Sequence, residues 1–371
     1  MRFLNPRWRL LPLLCWWAVL AARPAGACSV PVFRYALEHW QADPYEAVVF
    51  HRGPLPDAQR ELAREFGPEG LAGRLHANLA LRLVDLDADP APELAELWRS
   101  DGDGALPWAL IRSPRRGREA TLLWSGPLTQ AAAQPWLDSP ARREIIGRLA
   151  GGQSAVWLLL ESGDRERDAA AAQLLESRLA YLASTLALPK LDALDIANGL
   201  VSVGQDDLRL EFSVLRLSRR DAAEQPFVRI LLGTEPDLDQ AGEPVVFPVF
   251  GRGRALYALV GAGIKRETID QAASFLIGKC SCQVKDQNPG VDLLFAADWS
   301  RLIKAQTNGL PDLPSFAELA GAAPVTVTIS GSNGPDTTAG SPTPGWAWPA
   351  AAGIAAALVG GLLLLRLGLR K

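Results

Sequence analysis

Short apolar runs alternate with helix-period segments through most of the chain. The run Ala47-Val48-Val49-Phe50 has the length of a buried strand. After a polar turn, Leu62 and Phe66 fall four apart and predict a helix from about Asp57 to Phe66. Leu79, Leu81 and Leu83 then alternate with other residues, as a strand with one buried face does. Leu94, Leu97 and Trp98 stand at i, i+3, i+4 and predict a second helix. Beyond the Asp-Gly turn at 101–104, the runs at 106–111 and 121–124 are strand-sized. The segment 139–149 reads as a helix with Ser139 as cap and Pro140 at its first position. The order is β-α-β-α-β-β-α, which argues for a mixed α/β sheet flanked by helices.

Gly151-Gly152 marks the expected break between a first domain, 28–150, and a second α/β domain, 151–329. In the second, Ser154–Glu161 predicts a strand, and the alanine- and leucine-rich stretch 165–188 predicts a long helix. The runs 208–217, 227–233, 245–250 and 255–263 read as strands, the last two joined by Gly251-Arg252-Gly253-Arg254 as a hairpin. A helix from about Glu267 to Ile277 closes the domain.

Both ends of the chain carry membrane signals. Arg2, Arg7 and Arg9 precede the apolar run 10–22, and Ala25-Gly26-Ala27 leads into Cys28, the layout of a signal peptide over 1–27. An uncleaved anchor is the alternative, because Arg23 interrupts the cleavage region; lipidation of Cys28 is disfavoured by Ala25, where lipoprotein signals carry leucine. Ser-, Gly- and Pro-rich residues 330–345 form a flexible linker. Residues 346–366 are uncharged and mostly apolar up to Arg366, long enough for one transmembrane helix, and a basic tail, 367–371, follows. The positive-inside rule keeps that tail in the cytoplasm and places the bulk of the chain outside the cytoplasm.

Net charge −3 and a pI near 5.8 give no electrostatic basis for nucleic-acid binding. Arginine outnumbers lysine and alanine is abundant, which resembles a GC-rich bacterial coding bias and carries no functional claim.

The strand and helix order of 28–150 resembles the thioredoxin-like fold, with two local features in support. Gly53-Pro54 lies between the first strand and helix, where that family has its active-site turn, and Pro107 opens the third strand, where the family has a cis-proline facing the turn. The second domain resembles the same arrangement, with Pro248 in the part of Pro107. The likeness is degenerate. The family's first cysteine falls on Arg52 and its second on Leu55, so the turn Arg52-Gly53-Pro54-Leu55 has no thiolate to attack a disulfide. His51 beside it has no nucleophile to serve. In such proteins a groove opposite the turn receives extended polypeptide, and Trp108 is a candidate to line it. The resemblance therefore implies a non-catalytic binding or assembly module with a protein or peptide partner and no cofactor.

Cys28, Cys280 and Cys282 remain after removal of Cys15 with the signal. In an oxidising compartment they allow a structural disulfide from Cys28 to one of the pair, a closure stabilising by about 4–5 kcal/mol. They also allow, with less support from the sequence, a thiol-exchange site or a three-thiolate site for a soft metal, and this is the competing functional reading. The aspartates of 85–90 and 100–104 lack the glycine and glutamate of a calcium loop and read as strand-end turns. The glycines of 251–263 form no dinucleotide fingerprint, since Leu256 stands at the third glycine position, and no nucleophile-elbow, zinc-protease or P-loop pattern occurs.

Overall fold

The computed structural model describes residues 28–102, 105–115, 120–130, 132–279 and 284–308. The signal segment, Cys280, Cys282, the linker 330–345, the segment 346–366 and the basic tail lie outside the described residues. Among the described residues, no helix is long and apolar enough to cross a membrane.

The first half contains α1 (Val32–His39), β1 (Tyr45–His51), α2 (Asp57–Arg64), α3 (Leu71–Arg74), β2 (Leu79–Asp85), α4 (Pro92–Asp101), β3 (Trp108–Arg112), β4 (Leu122–Pro127), α5 (Ala133–Leu137) and α6 (Pro140–Ala150). Its sheet has the order β2-β1-β3-β4. β1 runs parallel to β2 and antiparallel to β3, and β3 is antiparallel to β4. β1 reads as an unbroken apolar run because both of its faces are covered. Ala47 and Val49 pack with Ala63 and Phe66 of the α2 region, whereas Val48 and Phe50 join Trp108 and Trp98 on the other side. On the edge strand β2 the expected alternation stops short: Leu79 and Val84 are buried, and Leu83 is 48% exposed. Ser139 caps α6 by accepting the Arg142 N–H, with Pro140 in the first turn.

The second half contains β5 (Ala155–Glu161), α7 (Arg165–Thr185), α8 (Ala193–Ala197), β6 (Phe212–Ser218), α9 (Gln225–Leu232), β7 (Val245–Phe250), β8 (Arg254–Ala255), β9 (Leu259–Val260), α10 (Arg266–Ile277), β10 (Val291–Asp292) and α11 (Trp299–Asn308). Its sheet has the order β10-β8-β7-β5-β6, with β9 also on β7. The run 227–233 corrects the sequence expectation, being helix rather than strand. Pro226 lies in its first turn, and the buried Phe227, Val228, Ile230 and Leu231 keep helical spacing. The predicted strand 255–263 is two short strands, both paired to β7.

With α9 helical, the second half repeats the first: β5 runs parallel to β6 and antiparallel to β7. Pro248 does not match Pro107, because it sits within β7 opposite Trp157. The residue that precedes β7 is Pro244. Its carbonyl accepts the Gly261 N–H at 2.9 Å, as the Pro107 carbonyl accepts the Leu128 N–H at 2.9 Å.

One apolar cluster joins the two sheets, with Val49 and Ile111 from the first and Leu158 and Phe247 from the second. The terminal arms also cross. α1 packs in the second half's cluster with Trp157 and Leu276, while Leu293, Phe295 and Trp299 pack in the cluster that holds the first sheet. Asn78 fixes the latter arm by donating to the Leu293 carbonyl and accepting the Phe295 N–H. A buried ionic cluster pins both arms: Asp292 pairs with Arg254 at 3.0 Å and Lys285 at 2.7 Å, and Lys285 also reaches Asp43 and the Gln41 carbonyl. Burial alone would raise the Asp292 pKa, but Arg254 and Lys285 outweigh it and hold the carboxyl below its ordinary value.

Candidate functional site

β1 ends at His51 and the chain turns through Arg52-Gly53-Pro54-Leu55 into α2. Gly53 adopts a φ of 58°, a conformation glycine adopts without steric cost. Asp85, at the end of neighbouring β2, holds the turn by accepting the Gly53 N–H at 3.1 Å and the Asp87 N–H at 3.0 Å. These N–H groups, Asp87 first, keep its carboxyl below the usual range, with His51 and Arg52 adding to the effect. His51 Nδ1 donates to the Gly53 carbonyl at 2.8 Å. Arg52 pairs with Asp87 at 2.7 Å on the surface, and Arg60 donates to the Leu55 carbonyl at 2.6 Å. Leu55 is buried, whereas Arg52 and Pro54 are exposed.

The Leu106–Pro107 peptide is cis. Phe50 pairs with Trp108 in the β1–β3 ladder, so the next step of that register sets Pro107 across from His51. Turn and proline therefore meet at one corner of the first sheet. Trp108 does not line an open groove: it is buried, and its indole N–H donates to the Asp101 carbonyl at 3.1 Å. Leu106 is different, since its peptide groups make no hydrogen bond among the described residues.

The matching corner of the second half is closed by its own side chains. Asp168, buried in the first turn of α7, accepts from the Ser162 N–H and hydroxyl and from the Gly163 N–H, all within 2.9 Å. It carries no thiol.

Asp85 and Asp168 were not expected as site residues. The aspartate-rich stretch 85–90 signalled a strand-end turn, but only the parallel β1–β2 register reveals which turn Asp85 serves.

Cys28 is buried and has no disulfide partner among the described residues; burial raises the pKa of its thiol. It lies close in sequence to the antiparallel bridge between Pro31 and Lys279. Cys280 and Cys282 fall outside the described residues. Among the described residues no group of three or more His, Cys, Asp or Glu side chains is placed to hold a metal. Among the described residues the corner offers hydrogen-bond donors and acceptors and no thiol.

No family model matches this chain, and a search of curated proteins finds no match.

Proposed function

We propose that the protein is a non-catalytic, extracytoplasmic binding or assembly module, anchored by one membrane helix over residues 346–366 and exported by the signal over 1–27. Its exported part is read as two degenerate thioredoxin-like units. Support comes from the β-α-β-α-β core that the two halves share, with the first strand parallel to the second and antiparallel to the third in each, and from the cis proline beside a strand-to-helix turn. The observation that carries the reading is the unpartnered backbone of Leu106 next to Pro107, beside a turn with arginine and leucine in place of thiols. An extended polypeptide can pair with such a backbone and needs no chemistry from the turn. Co-purification of the detergent-solubilised full-length protein tests this. A partner recovered with the wild type should fall at least about tenfold, roughly 1.4 kcal/mol, in an Arg52→Glu, Pro54→Glu variant of unchanged melting temperature. Equal recovery from both proteins would rule the corner out.

A competing reading makes Cys28, Cys280 and Cys282 a thiol-disulfide or soft-metal site. One observation favours it: near Pro31 and Lys279 the two segments run antiparallel, with the Val32 N–H donating to the Gly278 carbonyl at 3.0 Å. Thiol labelling and mass spectrometry of the exported protein separate the possibilities. One inert disulfide indicates a structural staple, and exchanging thiols or bound metal indicate a working site.

A further inference from the structure

A cleft of about 610 Å³ opens at the opposite end of the first sheet, within the ~300–1,000 Å³ common for ligand sites. Tyr45 and Leu122-Leu123 contribute one wall from the first half, and Leu232 with the loop after α9 contributes the other from the second. Tyr45 and His51 are the two ends of β1, about 20 Å apart at ~3.3 Å per residue, so this cleft is separate from the proline corner. Gly233 sets the closeness of the walls: a Cβ there would stand 2.6 Å from Leu123 Cδ2.

The wall is apolar, and Leu122 is 37% exposed in it. The rim is charged. Glu235 spends one oxygen on the Ala258 N–H at 2.7 Å. Arg229, Asp237 and Asp239 are exposed and make no side-chain hydrogen bond or ion pair among the described residues. Among the described lining residues, three carboxylates stand against one guanidinium. A hydrophobic wall beside unneutralised carboxylates complements a chain that alternates apolar and basic side chains, since each carboxylate then gains a charge-assisted partner.

We propose that this cleft is a second docking site, for an extended peptide segment carrying an apolar residue next to a basic one. It does not depend on binding at the proline corner. The test is calorimetric titration of the full-length protein in detergent with a capped leucine-arginine tetrapeptide, after subtraction of empty micelles. Saturable binding is expected, weakened at least about tenfold by Asp237→Asn combined with Asp239→Asn and retained in the Arg52→Glu, Pro54→Glu variant. A capped leucine-glutamate tetrapeptide should not bind. Absence of saturable binding to the wild type, equal affinity of the double asparagine variant, or equal binding of the glutamate peptide would each overturn the proposal.

Discussion

Asp85 and Asp292 are both carboxylates held more acidic than usual, for different reasons and with different consequences. Asp85 is half-buried and organises a turn through two backbone N–H groups. Asp292 is buried and neutralises Arg254 and Lys285 at the point where the terminal arms meet the body. Removing one partner from a buried ion pair typically costs about 3–5 kcal/mol, because the other charges lose their compensation without regaining water. Asp292→Asn should therefore lower stability at pH 7 by about 3 kcal/mol. The folded-state pKa of Asp292 lies below the ~3.9 of an unfolded aspartate. Its contribution is full above that value and is lost as pH falls through the folded pKa. Urea midpoints of wild type and variant, measured from pH 7 to pH 3, should thus converge below about pH 4. A constant gap across that range would show that Asp292 acts through packing alone.

Elements whose shape is dictated by local pattern were legible in the sequence. β1 and β5 are central strands covered on both faces, and their near-continuous apolar runs say so. α6 announced itself through Ser139-Pro140, and α7 through its alanine and leucine content. α9 was misread because Phe227, Val228, Ile230, Leu231 and Leu232 are dense enough to pass as a buried strand; burial on a helical spacing decides the matter. α1 went unread for another reason. Its last carbonyls, Leu37 and Glu38, accept hydrogen bonds from Arg252, more than 200 residues away. No local window contains that partner. Arg252→Ala should fray α1 at a cost of about 1–3 kcal/mol, seen as faster hydrogen exchange over Val32–His39 with little change in α7. Unchanged protection in α1 would mean its apolar face alone holds it.

At the scale of the molecule, two halves that share a three-strand centre, β2-β1-β3 and β6-β5-β7, are tied by a common core and by arms that cross from each end. The proline corner lies at one end of the first of these sheets. The corner's components were legible as Gly53-Pro54 and Pro107, but its electrostatic support, Asp85 and Asp87, emerges only when β2 lies beside β1. The acidic cleft was not legible at all, because Leu122 and Asp237 come together only through packing between the halves. The central claim is that the corner meets a protein partner without performing sulfur chemistry. Photo-crosslinking of the full-length protein in its membrane, with the reactive side chain at position 52, 54 or 181, tests that claim most directly. Positions 52 and 54 should give the same discrete adducts, and position 181, exposed on α7, should not. Adducts of equal yield from all three positions, or none from 52 and 54, would contradict the account.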